Sequence, residues 1–287
     1  MLNHNGKVYT DKNTLLFSAQ NRAFSYSDAF FETIRVIKKN SENYHIPLWN
    51  YHFNRLSKGM QAFGYDKIES DVLKNEILKT AIASKNKDTE TDFKTRLTVF
   101  RSEGGLYTPT NTKSEFVIVL TEIPKLTTNL SLPINKKYVF FDDLPLFPSR
   151  FSSFKKASAL SYILAGKYRK EHQADEVFLL NDKGRIAEAG AANVFILDKS
   201  NKNQLHFITP PASEGGVMGT LRNYLLDHQE NFDIRVEEKP ITKQQLESSE
   251  IIFTTNAVQS VQLIKVLKNE QLERMKIFVE KVNQIFR

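Results

Sequence analysis

Between Pro124 and Lys137 the chain is rich in Thr, Asn, Pro and Lys, and this break limits the fold most, because strand-like and helix-like segments alternate on both sides of it. At about 100–200 residues per domain, 287 residues are too many for one simple core. The expected organisation is a smaller α+β domain over 1–125, a linker over 126–137 and a larger domain over 138–287.

In the first half, β-branched and aromatic residues predict strands at Lys7–Thr10, Thr14–Ser18, Phe30–Ile37, Thr95–Arg101 and Glu115–Glu122. Apolar steps of three to five residues through Leu48, Tyr51, Leu56, Met60 and Phe63 predict a helix that Gly64 ends, and Ser70 opens a second. In the second half, strands are expected at Tyr138–Phe141, Glu176–Asn181, Ala192–Leu197, Leu205–Thr209, Ile234–Glu237, Ile251–Thr255 and Val261–Val266. Helices are expected at Ser158–His172, Thr220–His228 and Asn269–Phe286, and Asp182-Lys183-Gly184 is read as the link from the second of these strands to the third.

Composition removes several function classes. No cysteine is present, so disulfides, thiolate nucleophiles and Cys-ligated metals are excluded. Forty basic against 33 acidic residues give a net charge of +7, but pairs such as Lys38-Lys39 and Lys136-Lys137 never grow into a block, so nucleic acid is not the expected partner. The six histidines are dispersed and no metal site is expected. Met1–Asp11 is polar and no run approaches the roughly 18 apolar residues of a membrane span, which points to a soluble, cytoplasmic protein.

Three local features carry chemistry. Gly215 to Arg222 is a Gly-rich turn running from a strand into a helix, either a phosphate cradle at a helix start or a plain entry turn. Lys155 and Lys156 lie at a loop-to-helix junction, where a lysine is either partly desolvated and suited to Schiff-base chemistry or simply solvated. Glu188 is followed by Ala189-Gly190-Ala191-Ala192-Asn193, small residues against which a flat ring could lie. A lysine, an acid and an anion-binding helix start are the parts that pyridoxal phosphate requires.

Phe31-Glu32-Thr33-Ile34-Arg35-Val36, His52 to Leu56, Lys155, Asp175-Glu176-Val177, Glu188 with Asn193, Thr209-Pro210 with Gly219 to Arg222, and Thr254 to Ala257 follow one another along nearly the whole chain. In that order they resemble the class IV aminotransferase family. These are the fold type IV pyridoxal-phosphate enzymes, among them branched-chain and D-amino-acid aminotransferases and 4-amino-4-deoxychorismate lyase. The resemblance implies a two-domain fold of α+β and α/β parts with the cofactor at the domain interface, and a homodimer. It implies Lys155, with Lys156 as the alternative, as the Schiff-base lysine and Glu188 as the acid on the pyridine nitrogen. Arg55 matches the arginine on the cofactor phosphate. Asn193, Gly219, Thr220, Leu221, Asn256 and Ala257 fall on the cofactor seat, and Arg96 with Phe31 on the substrate side, where Arg96 would meet an amino-acid carboxylate.

Leu160 stands where branched-chain enzymes commonly have tyrosine, and Leu221 and Ala257 replace hydroxyl residues of the phosphate cup. These departures, with the Ala174-Asp175-Glu176 and Ala191-Ala192-Asn193 strings, resemble the lyase subgroup, which releases pyruvate to give 4-aminobenzoate for folate biosynthesis. Ser158, Ser27 and Ala29 depart from that pattern. A transaminase of a small branched-chain-like or D-amino acid, using 2-oxoglutarate, is the alternative; a pyridoxal-phosphate-binding protein without activity is a remote one.

Overall fold

The computed structural model describes every residue except 12–13, 15, 41, 85–89, 128–133 and 199–203. The chain divides into two compact units, Met1–Lys125 with Phe154–Ser158, and Leu126–Ser153 with Ala159–Arg287. The segment holding Lys155 therefore counts with the first unit, whereas the sequence had put it in a 138–287 domain. The cause is local: Phe154 packs partly buried on the first unit's core, its ring edge-on to Phe30 and Phe63.

The first unit contains β1 (Leu2–His4), β2 (Lys7–Tyr9), α1 (Arg22–Tyr26), β3 (Ala29–Lys38), β4 (Tyr44–His45), α2 (Trp49–Ala62), α3 (Ser70–Ala83), β5 (Thr91–Arg101) and β6 (Ser114–Pro124). Its sheet runs β2-β1-β6-β5-β3-β4, with every pair antiparallel. Ile34, Val36, Leu97, Val99, Ile118 and Leu120 share a core with Leu56 and Met60 of α2 and Leu73 and Ile77 of α3. The other face carries Phe31, Thr33, Arg96, Thr98 and Val119, as the two-residue period demands. β1 and β2 turn through Asn5 (φ 48°) and Gly6 (φ 88°), the left-handed pair a two-residue hairpin needs. The strand expected at Thr14–Ser18 is not seen at its described residues, and Leu15 lies outside them.

The second unit contains β7 (Ile134–Asn135), β8 (Tyr138–Leu146), α4 (Leu160–Glu171), β9 (Glu176–Asn181), β10 (Arg185–Ala189), β11 (Asn193–Leu197), β12 (Leu205–Thr209), α5 (Thr220–Asp227), β13 (Ile234–Glu238), β14 (Ile241–Thr242), α6 (Lys243–Ser248), β15 (Ile251–Asn256), β16 (Ser260–Val266) and α7 (Asn269–Asn283). Two sheets form, in the orders β14-β10-β9-β8 and β13-β12-β11-β15-β16-β7. Alternation sorts the side chains into layers. Phe178 and Leu180 meet Val194, Ile196 and Ile252 between the sheets, while Val177 and Leu179 face Ala165 of α4. On the far side of the six-stranded sheet, Phe253 stacks on Phe195 and meets Phe278 of α7.

Two expectations are corrected here. Part of the linker is a strand, since Ile134–Asn135 pairs with Val266 and Lys265, while residues 128–133 lie outside the described set. Asp182-Lys183-Gly184 turns into β10, a strand the sequence reading passed over, and not directly into β11.

Candidate active site

In the first unit the lysine segment forms a short ladder on the free edge of β3. Phe31 N–H donates to the Lys155 carbonyl and Ala157 N–H to that of Ala29, both at 2.9 Å. Lys156 thus pairs with Phe30, a core residue, and the pleat puts Lys155 on the opposite face with Phe31. There Lys155 Nζ lies 4.7 Å from the centre of the Phe31 ring, and the Arg96 guanidinium carbon lies 3.7 Å from the same centre. One aromatic ring thus carries two cations, an arrangement suited to an anionic group.

Arg55, expected on a phosphate, grips Glu32 with Nε to Oε1 at 2.8 Å and Nη2 to Oε2 at 2.6 Å. Oε2 also meets His52 Nδ1 at 2.6 Å. Burial alone would raise the Glu32 carboxyl, but the charge of Arg55 and the hydrogen bond from His52 hold it down to about 2. Burial pushes His52 down, so it serves as a neutral donor. His52 and Arg55 sit three residues apart on α2, one above the other.

A second polar knot lies at the start of β3. Asp28 accepts from Arg22 at 2.8 Å, Arg101 at 3.1 Å and Tyr65 at 2.6 Å. Burial opposes the charge, yet Tyr65 and the two arginines keep the Asp28 carboxyl below its ordinary range.

In the second unit Glu188 is buried, although a lone Glu in a strand usually faces water. A β-bulge between Ile186 and Glu188 sets Glu188 opposite Leu179, on the α4 side of the sheet. Its Oε1 accepts from the Tyr162 hydroxyl and, at 3.1 Å, from Val217 N–H. Asn193 donates to the Val217 carbonyl at 2.7 Å, and its Oδ1 occupies the place a Cβ on Gly219 would need. Gly216 is equally constrained, since a Cβ there would fall 2.7 Å from the Ala187 carbonyl. The glycines thus let this loop run against β10 from the carboxylate to the start of α5.

Gly219 caps α5, and among the described residues no side chain satisfies the N–H groups of Thr220 and its neighbours. Leu221 is fully buried, which leaves only its backbone to offer. Asn256 spends its side-chain oxygen on Val258 and Gln259 N–H at 2.9 and 2.7 Å, shaping the turn that begins at Ala257. The adjoining Thr255 hydroxyl is buried with no partner among the described residues. A buried carboxylate, an open helix start and an unmatched hydroxyl fit a flat, phosphate-bearing ring with a protonated nitrogen.

The sequence reading missed Tyr162, Val217, Glu32 and His52 as parts of these clusters. Glu32 and His52 lay inside matched motifs, but Tyr162 and Val217 had no signal, because a bulge and a loop decide what they meet. No group of three metal-ligating side chains occurs among the described residues, and none of their helices is long and apolar enough to cross a membrane.

The sequence profile of the class IV amino-transferases matches residues 29–267. A protein of Methanocaldococcus jannaschii named as a branched-chain-amino-acid aminotransferase is 24% identical over 273 residues, 93% of this chain and 90% of that protein. The fold is similar to a hypothetical aminotransferase from Mycobacterium tuberculosis in its PLP-bound form (TM-score 0.78, 14% identity, covering 99% of this chain and 98% of that one). It is also similar to 4-amino-4-deoxychorismate lyase from Pseudomonas aeruginosa (TM-score 0.76, 17% identity, covering 99% and 100%). With the profile spanning most of the chain, this protein belongs to the class IV aminotransferases, fold type IV enzymes that work with pyridoxal phosphate.

Proposed function

We propose that this enzyme takes an amino-carboxylate substrate and eliminates pyruvate from it, as a 4-amino-4-deoxychorismate lyase does. The observation that carries the substrate class is the Phe31 ring with Lys155 on one approach and Arg96 on another, which sets an amine beside a carboxylate receptor. When bound, pyridoxal phosphate supplies a conjugated sink for the electrons released at the substrate carbon. Lys155 would hold the cofactor, and its amine would be the base for the proton on the carbon bearing the substrate nitrogen. Glu188 keeps a proton on the ring nitrogen. In the second unit, the first-turn N–H groups of α5 at Thr220 and Leu221 and the Asn256-Ala257 turn would bind the phosphate; the family resemblance gives Arg55, which Glu32 steadies, a role on the same group. Asn193 and Gly219 shape the loop between the two anchoring points.

The lyase outcome is favoured by what is absent from the seat. Leu160 stands where branched-chain enzymes commonly have tyrosine, and Leu221 and Ala257 give the cup no side-chain hydroxyl. The transaminase reading is favoured by the name of the Methanocaldococcus jannaschii relative. Product analysis decides. Pyruvate and 4-aminobenzoate released from aminodeoxychorismate without any keto acid support the lyase. Turnover of branched-chain or D-amino acids that requires 2-oxoglutarate overturns it in favour of the transaminase.

A homodimer is part of the proposal. Leu160 and Ile163 are 60% and 66% exposed on one side of α4, a surface a second copy would cover. Sedimentation at micromolar concentration tests this, and a monomer overturns it.

A further inference from the structure

We propose that Tyr162 is the positioning residue for Glu188, fixing its carboxylate and lowering its basicity so that the proton shared with the cofactor ring stays on the ring nitrogen. This rests on the role assigned to Glu188 above. Nothing in the sequence motifs points to Tyr162, which stands two residues beyond the position where branched-chain enzymes commonly carry a tyrosine.

Geometry makes the case. Along a regular strand, Glu188 would face the same side as Ile186, which is buried between the two sheets. The bulge adds one residue, Ala187, and turns Glu188 over to the side of Leu179 and α4. Tyr162 lies in the first turn of α4, partly buried against the same cluster, and its hydroxyl reaches the carboxylate there. Two donors, Tyr162 O–H and Val217 N–H, converge on one oxygen, Oε1, which fixes the carboxylate plane. Burial first, and then the charge of Glu188 and the hydrogen bond to it, push the phenol up, so Tyr162 remains a donor across the working pH range. A donor on a carboxylate stabilises its ionised form, which disfavours transfer of the ring proton to Glu188.

The test uses the full chain reconstituted with pyridoxal phosphate. Tyr162→Phe should bind the cofactor about tenfold more weakly. The visible band of the loaded protein should titrate at higher pH, because a ring nitrogen that has lost its proton no longer opposes a second charge on the same conjugated system. Replacing Tyr162 with 3-fluorotyrosine, a stronger donor of nearly the same shape, should move the titration to lower pH. It also keeps the question answerable if Tyr162→Phe fails to fold, as judged by circular dichroism and the thermal midpoint of the cofactor-free protein. In a Glu188→Gln background the effect of Tyr162→Phe on the band should vanish.

Unchanged affinity and titration in the folded variants, or an effect that persists undiminished in Glu188→Gln, overturns the role of Tyr162. A wild-type chain that takes up no pyridoxal phosphate overturns the cofactor roles themselves, so the two failures are distinguishable.

Discussion

The backbone N–H of Phe31 donates to the carbonyl oxygen of Lys155 at 2.9 Å, so the lysine hangs from the free edge of β3 by main-chain bonds that any side chain at position 155 would preserve. Lys155→Ala is therefore expected to fold with an unchanged thermal midpoint. It should lose the visible band of the bound cofactor and at least about a thousandfold in turnover. Lys156→Ala should keep the band. Absorbance of the purified variants checks both, and the reverse pattern would move the assignment by one residue.

Arg96, proposed to meet the substrate carboxylate, is exposed, with its guanidinium carbon 3.7 Å from the Phe31 ring centre. Arg96→Gln is expected to raise KM for the amino-carboxylate roughly tenfold to a hundredfold, with a smaller change in kcat. Steady-state kinetics separate the two parameters.

Glu32 couples stability to pH. Its folded-state value of about 2 lies below the ordinary 4.5, so its contribution is fully present above 4.5 and is lost as pH falls from 4.5 towards 2. Glu32→Gln leaves Arg55 without its buried partner and should cost about 3 kcal/mol near neutral pH, measured by urea unfolding. The same variant should flatten the acid limb of the stability curve in that window.

Asp28 joins Arg22, Arg101 and Tyr65, and Arg101 in turn donates to the Phe63 carbonyl at 2.8 Å and the Gly64 carbonyl at 3.0 Å, where α2 ends. Asp28→Asn should destabilise the protein by about 2–4 kcal/mol, since two buried guanidinium groups lose their counter-charge. Chemical denaturation followed by tryptophan fluorescence is the measurement, with Trp49 in the core of the same unit as the reporter.

Gly219→Ala should weaken cofactor binding about tenfold, because the new methyl collides with Asn193 Oδ1 at the cap of α5. Asn193→Ala in the same chain makes room for the methyl but gives up the bond to Val217, so affinity should recover only in part. Fluorescence titration with pyridoxal phosphate reads both.

Sequence alone determined whatever depends on local periodicity and chain order. The long strands β3, β5 and β6, the helices α2 and α3, and the succession of motifs from Phe31 to Ala257 were legible because alternation, caps and glycine punctuation act over a few residues. The Asn5-Gly6 pair, both residues at positive φ, is a local hairpin signal of the same kind. Tertiary structure decided what side chains on distant segments do to one another. Glu32 was visible as part of a string, but only the packing of α2 over β3 made it the partner of both His52 and Arg55. Phe154 drew the lysine segment into the first unit because its ring found Phe30 and Phe63. A single extra residue in β10 turned Glu188 towards Tyr162, and the two-residue period of a strand carries no trace of such a bulge, which is fixed by the pairing of β10 with β9.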